Sequence, residues 1–364
     1  MNALFSSDSN NHYYLFYHHR PAHLAMALPQ WTQTNVHYVP TRWPHKLLNV
    51  LTALTGAPKL DRLVANQTGV RLDCFFSPNL HFTALTKNIP HILMVHDLTF
   101  HLFKNYYTPR QRLWHRLVAP KTQCQKAKII IVPSANTKRD IVEYYQIDQK
   151  KITVLSPGLN SQFKIMNNEQ LTTNKTKIKY SLPDNYILFL GTIEPRKNIL
   201  GLITAFEQFT TTTYQLQAIT YSLVIAGAPG WKNHAILKRI HRSPVKDKIK
   251  LIGYVDPADK PALYRGASLF IYPSFYEGFG FPALEAMAAG VPVITSNRSS
   301  LPEVTSSAAY LINPHRPDEI AEGMKYLLNN QTAREQAIKK GLERAKTFSW
   351  ERTAKDALTL FHSI

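Results

Sequence analysis

Two glutamates separated by seven residues, Glu277 and Glu285, bracket the turn Gly278-Phe279-Gly280-Phe281-Pro282. A glycine turn aimed at a helix N-terminus presents backbone N–H groups and the positive end of the helix dipole, which suits an anion. Carboxylates suit hydroxyl groups rather than phosphate, so the ligand implied by this pattern carries both a phosphate and a sugar. A second candidate stretch is Gly191-Thr192-Ile193-Glu194-Pro195-Arg196-Lys197-Asn198. It places two cations at the start of an expected helix, where cations are disfavoured unless an anion is bound. Arginine offers a two-pronged donor and lysine a compact charge. The third candidate is His96-Asp97, at the carboxyl end of an expected strand. A histidine in that position serves hydrogen bonding as readily as chemistry.

The elements that must position these residues alternate between strand and helix patterns. Strands are expected at 13–17, 35–39, 74–77, 89–95, 128–132 and 152–155. Helices are expected at 44–54, at 110–124 as one basic amphipathic element, and from 134 or 136 to 145. The first twelve residues read as frayed, and residues 18–21 read as a loop. The polar stretch 159–182, with Asn167 and Asn168, reads as a linker ending at Pro183. A second series then begins: strands at 186–190, 222–226, 249–252, 269–271, 291–294 and 309–312, with helices at 199–209, 231–241, 260–266, 284–289, 318–328, 333–348 and 350–361. Such alternation implies parallel, doubly wound sheets.

The segment from Glu277 to Val293 resembles the donor motif of the glycosyl transferases group 1 (family 4), retaining enzymes with the GT-B fold. The resemblance implies that the amides of Gly278, Phe279, Gly280 and Phe281 hold the donor diphosphate. It also implies that Glu277 meets the donor sugar and Glu285 the nucleotide ribose. Residues 191–198 resemble the family's phosphate loop, most like bacterial mannosyltransferases of surface polysaccharide synthesis, with Arg196 and Lys197 as the cations. Thr192 stands where many relatives carry arginine. Gly253-Tyr254-Val255 with Lys260 resembles the base-contacting loop. His96-Asp97 resembles the pair that faces the donor sugar from the N-terminal domain, so His96, Asp97 and Glu277 are the candidate catalytic residues.

The fold implied is α/β, GT-B: two Rossmann-like doubly wound domains facing a cleft. The expected domains are residues 1–165 for the acceptor, 166–183 as linker, 184–347 for the nucleotide sugar, and 348–364 as a terminal helix packing back on the N-terminal domain. The expected reaction is transfer of a hexose, mannose from GDP-mannose, with retention, to a glycan or lipid-linked acceptor, without metal or further cofactor. The family's N-terminal glycine loop has no counterpart, since no glycine precedes Gly56. The first β/α unit is therefore expected to be missing. That leaves open a truncated, non-catalytic nucleotide-sugar-binding subunit as an alternative, besides a sugar-nucleotide epimerase or phosphorylase on the same fold.

Composition narrows the partners. The chain has 364 residues, a formal net charge of +19 and two cysteines, Cys74 and Cys124. Two cysteines make neither a disulfide framework nor a zinc pattern, which fits a reducing cytoplasm. No apolar run reaches the ~20 residues of a membrane span, and no signal peptide pattern opens the chain. Residues 1–165 hold 19 Lys/Arg and 7 Asp/Glu, a net of +12, against 24 and 17, a net of +7, for residues 166–364. Between Asp97 and Asp140 no residue is acidic and nine are basic, with aromatics interleaved. Such a face suits an anionic membrane surface or a phosphate-bearing acceptor. No nucleic-acid motif accompanies it.

Overall fold

The computed structural model describes residues 1–18, 29–41, 43–163, 169–213 and 220–364. The expected loop at 19–21 and the residues Asn167 and Asn168 lie outside them. Twelve strands form three sheets among the described residues, and every pairing is parallel.

The C-terminal sheet holds β7 (Tyr186–Leu190), β8 (Ser222–Ala226), β9 (Ile249–Gly253), β10 (Leu269–Tyr272), β11 (Val293–Ser296) and β12 (Ala309–Ile312). Its order is β12-β11-β10-β7-β8-β9. Helices cover both faces, so β7 and β10 are buried along their whole length and read as unbroken apolar runs. Full burial of a large apolar side chain such as Phe270 or Ile271 contributes roughly 1.5–3 kcal/mol. The chain runs outward from β7 in both directions, so the switch in strand order falls between β7 and β10. Ligands of open α/β sheets sit outside the carboxyl ends of strands at such a point.

The N-terminal strands divide into a pair, β1 (Tyr13–His18) with β2 (Val36–Thr41), and a four-stranded sheet. The latter holds β3 (Phe75–Ser77), β4 (His91–Met94), β5 (Ile129–Val132) and β6 (Ile152–Val154) in sequential order. β1 and β3 are not hydrogen-bonded to each other. The helix Trp350–His362 lies over both sheets. Phe361 meets Phe76 with ring centroids 6.0 Å apart, and the Thr353 hydroxyl donates to the Ser156 carbonyl at 2.6 Å. The crossing is close: a Cβ on Gly158 would lie 2.1 Å from the Trp350 amide nitrogen.

Three expectations need correcting. Residues 110–124 are two helices, Pro109–Val118 and Pro120–Lys126, because Pro120 cannot continue the first and Ala119 turns into the left-handed region at φ 50°. The first twelve residues are not frayed. Asn2–Ser7 is helical, with Phe5 packed between Tyr13 and Trp31. The linker expected over 166–183 contains the helix Glu169–Lys179, which lies on the helix Lys260–Arg265. Lys179 and Tyr180 both donate to Asp259, at 2.6 and 2.7 Å. Residues 169–179 contain no glycine or proline and are rich in residues of good helix propensity, so polarity alone misleads. Two further details escape the pattern: the helix Leu60–Thr68, and the late start of the helix His234–His241. No helix among the described residues is long and apolar enough to cross a membrane.

Candidate active site

β7 and β10 are hydrogen-bonded neighbours, and both site loops leave from their carboxyl ends. After β7 the chain passes Gly191 and Thr192 and enters a 3-10 turn, Pro195–Lys197. After β10 it passes Ser274 and Glu277 to Gly280, whose φ of 117° makes the entry into the helix Phe281–Ala288. The register of the sheet therefore brings Lys197 and Glu277 together from opposite sides of the switch point.

Their contact is direct. The Lys197 ammonium lies 2.7 Å from Glu277 Oε1 and donates to the Tyr272 hydroxyl at 2.5 Å. Arg196 reaches the other oxygen, Glu277 Oε2, at 2.8 Å. The same guanidinium donates to Glu194 Oε1 at 2.7 Å and to the Tyr276 carbonyl at 2.8 Å. Burial pushes the Glu277 carboxyl up, but Lys197 and Arg196 outweigh it and hold it down at about 2. Burial pulls the Lys197 ammonium below the usual lysine range while Glu277 pulls it back. Arg196 stays fully charged, since Glu277 and Glu194 offset its burial. Two cations and two carboxylates thus balance in a nearly dry site, where such charges persist only when paired.

Serines hold the loop from behind. Ser299 Oγ accepts from the Glu277 amide at 2.9 Å, and Ser300 donates to the carbonyls of Glu277 and Phe279 at 2.8 and 2.6 Å. From the N-terminal half, Ser134 donates to the Gly278 carbonyl at 2.7 Å. A Cβ on Gly278 would lie 2.2 Å from the His96 carbonyl oxygen, so the two halves of the molecule meet backbone to backbone at this glycine.

A cavity of about 640 Å³ opens between the halves. His96, Asp97, Lys197, Glu277 and the loop Gly278, Phe279, Gly280, Phe281 all line it. His96 is exposed to this space, with Nε2 donating to the Pro78 carbonyl at 3.0 Å. Asp97 Oδ1 accepts from the Thr99 amide at 2.8 Å. The remaining candidates do not line the cavity. Arg196 stands behind Glu277 as its brace. Glu285 lies farther along the helix Phe281–Ala288, where it accepts from the Tyr264 hydroxyl at 2.9 Å and pairs with Lys260 at 3.7 Å. Burial raises the Glu285 carboxyl above its ordinary range, against the pull of Lys260 and Tyr264. Val255 is buried in the same half. The two glutamates of the spacing pattern therefore stand in two separate places: Glu277 in the cavity beside His96 and Asp97, Glu285 outside it, against Tyr264 and Lys260.

Several further residues brace the site, most of them without a sequence signal of their own. Glu194, Tyr272, Tyr264, Ser299, Ser300 and Ser134 act through contacts that span up to 144 positions. Ser134 alone had a readable role, as the helix cap before Ala135–Tyr145, where its Oγ accepts from the Thr137 amide.

Comparison with known proteins bears on the family and the fold. The family described as Glycosyl transferases group 1 matches residues 172–344, and the family described as Glycosyltransferase Family 4 matches residues 8–163. The O-antigen chain mannosyltransferase B of Escherichia coli is 32% identical over 278 residues, covering 75% of this chain and 71% of that protein. The serotype-specific mannosyltransferase WbdA of Escherichia coli is 30% identical over 272 residues, 74% of this chain, which spans only 33% of WbdA. Among solved structures, Anabaena HepE in complex with UDP and glucose superposes with a TM-score of 0.67 at 16% identity, over 90% of this chain and 86% of that one. Sucrose-phosphate synthase from Thermosynechococcus elongatus gives 0.73 at 18% identity, over 99% and 91%. These structures carry the likeness of fold, two facing α/β halves.

Proposed function

The chain belongs to the group 1, family 4 glycosyltransferases of GT-B fold, and from that premise we propose that it transfers mannose from GDP-mannose to a growing glycan of cell-envelope polysaccharide. The observation that carries this reading is the Lys197–Glu277 pair, set at the switch point of one half and facing His96 and Asp97 of the other across one cavity. The mannosyltransferase names of the relatives supply the sugar.

In the reading proposed here the diphosphate lies against the amides of Gly278 to Phe281 and the start of the helix Phe281–Ala288. Lys197 is the one cation of the family's phosphate loop that lines the cavity. As the bond between the sugar and the diphosphate breaks, negative charge grows on the diphosphate, and these fixed donors stabilise it without reorganising. Glu277 accepts from hydroxyls of the sugar. Glu285, held by Tyr264 and Lys260, accepts from the ribose, and the backbone near Val255 meets the base. His96 and Asp97 contact the sugar from the acceptor side. The transferred sugar keeps its anomeric configuration, and no metal takes part.

Thermal unfolding with GDP-, UDP- and ADP-sugars tests the donor, because a ligand bound only to the native state raises the melting temperature. GDP-mannose should give the largest rise. Transfer to a mannose-terminated acceptor, followed by NMR of the new anomeric proton, tests retention. Activity undiminished by EDTA tests metal independence. A larger shift with UDP- or ADP-sugars, or an inverted product, overturns the corresponding part.

A further inference from the structure

We propose, in a step that rests on the donor reading above, that Trp231 is a positioning residue. It couples the phosphate loop of the C-terminal half to the His96–Asp97 pair of the other half, so that a diphosphate bound at Lys197 sets that pair for transfer. Residues 228–231 follow β8 and pair with the loop that follows β7. The Ile193 amide donates to the Ala228 carbonyl at 3.0 Å, the Gly230 amide donates to the Ile193 carbonyl at 3.0 Å, and Ile193 and Pro229 form a parallel bridge. Gly230 packs tightly on that loop. A Cβ there would come within 2.7 Å of the Thr192 methyl, 2.9 Å of the Ile193 carbonyl oxygen and 3.3 Å of Glu194 Cβ. Glu194 in turn holds Arg196, and Arg196 holds Glu277. Residues 192–194 and 228–231 therefore move as one body.

Trp231 joins this body to the far side of the cleft. Its Nε1 donates to the Tyr106 carbonyl at 2.7 Å, and its ring lies 5.7 Å from that of Tyr107. The Lys232 ammonium donates to the preceding carbonyl, that of Asn105, at 2.6 Å. Two consecutive carbonyls of the N-terminal half are thus held from one loop. The strap they belong to begins at His96–Asp97. Asp97 Oδ1 accepts from the Thr99 amide, which opens the helix Thr99–Leu102. Phe103 and the 3-10 turn Lys104–Tyr106 follow, with the Phe103 and Tyr106 rings stacked at 5.5 Å. Thr108 then caps the helix Pro109–Val118. The strap is anchored at both ends in the N-terminal half, so a shift at Tyr106 is passed back towards Asp97 rather than lost in a free loop. Ring packing alone needs no N–H, whereas the half-buried indole N–H of Trp231 finds a backbone acceptor on the opposite half. The joint through Ser134 and Gly278 fixes the sugar side of the site to the helix Ala135–Tyr145, and Trp231 fixes the phosphate side to the strap. Coupling of this kind runs both ways. A nucleotide at the phosphate loop therefore also changes the surroundings of Trp231, although Trp231 does not line the cavity.

The chain has five tryptophans, so the full chain labelled with 5-fluorotryptophan gives a readable fluorine NMR spectrum, in which Trp231→Phe identifies the Trp231 line. Calorimetry registers binding of GDP, UDP and ADP. Each nucleotide that binds should shift the Trp231 line while that of Trp43 stays. Trp231→Phe keeps a ring against Tyr107 and removes the N–H. It should lower turnover, followed as release of nucleotide from the matching nucleotide sugar, about two- to tenfold, the worth of one hydrogen bond, with nucleotide affinity unchanged. Lys232→Met, at an exposed side chain, removes the second carbonyl contact and should lower turnover in the same sense if the tryptophan variant fails to fold. Three results overturn the coupling and leave the donor reading standing. These are a Trp231 line unmoved by a nucleotide that binds, wild-type turnover in Trp231→Phe, or equal losses of nucleotide affinity and turnover. Failure of all three nucleotides to bind overturns the donor reading and the coupling with it.

Discussion

Glu277 carries two ion pairs in a site with little water, and this sets its acid behaviour. Its folded-state pKa of about 2 lies below the ordinary value of 4.5. A depressed carboxylate stabilises the fold above its unfolded pKa and loses that stabilisation as pH falls through the folded value. The protein should therefore lose stability between about pH 4.5 and 2, and Glu277→Gln should flatten that part of the curve. Urea melts across this window provide the check, and an unchanged slope in the variant would refute the paired carboxylate. Glu285 works differently, because it pairs with Lys260 at 3.7 Å and accepts a hydrogen bond from Tyr264. A hydrogen bond to a charged group is worth roughly 1.5–3 kcal/mol, so Glu285→Ala should weaken GDP binding about ten- to a hundredfold. Tyr264→Phe, which frees Glu285 to turn, should weaken it by about tenfold or less. Calorimetry showing wild-type affinity in both would remove Glu285 from the nucleotide site. At this scale the sequence was legible where spacing mattered: the seven-residue interval and the Arg-Lys pair each place one residue, Glu277 and Lys197, at the cavity. It was silent on Tyr272 and Ser300, since nothing local marks a side chain whose partner lies 21 to 75 positions away in a different loop.

Between elements, the notable joint is the N-terminus of the helix Ala135–Tyr145. Its first amides are met by a carboxylate from the other half: Glu303 accepts from the Ala135 and Asn136 N–H groups at 2.8 and 3.2 Å. Arg344 fixes the segment by donating to the Glu303 and Val304 carbonyls at 2.7 and 2.9 Å. A carboxylate at a helix N-terminus contributes typically 0.3–1 kcal/mol, and here that energy also draws the halves together. Glu303→Gln should widen the cleft in solution, measured as a larger radius of gyration by small-angle scattering, and lower transfer several-fold with nucleotide affinity kept. An unchanged radius and rate would show that the clasp adds nothing. Strands were the easiest elements to read, because parallel strands buried on both faces are short apolar runs bounded by turns. Helix ends were harder. Pro120 divides what amphipathic spacing joins, and the helix Glu169–Lys179 hides in a polar stretch because its support comes from Asp259 and the helix beside it.

Across the whole molecule the two halves differ in cohesion. The C-terminal sheet is six strands wide with helices on both faces, while β1 and β2 form a two-stranded sheet of their own. Two strands alone are marginal in water. Their support comes from packing by the helices Asn2–Ser7 and Trp350–His362. Hydrogen exchange should accordingly be faster at residues 13–18 and 36–41 than at β7 and β10. Equal protection would show that the divided sheet folds as firmly as the continuous one. The pairing of two β/α series was legible from the chain, as was the excess of positive charge in the first half. The meeting of Gly278 with the His96 carbonyl was not, for it depends on how two loops 182 positions apart approach across the cleft.

The central claim is that Glu277 serves the transferred sugar and Glu285 the nucleotide. Calorimetry of GDP binding, run beside steady-state transfer from GDP-mannose, tests it most directly in Glu277→Gln. Removing the charge leaves Lys197 free for the diphosphate, so GDP affinity should hold or rise, while turnover falls about a hundredfold or more. Parallel loss of GDP affinity and turnover, or transfer at the wild-type rate, would contradict the assignment.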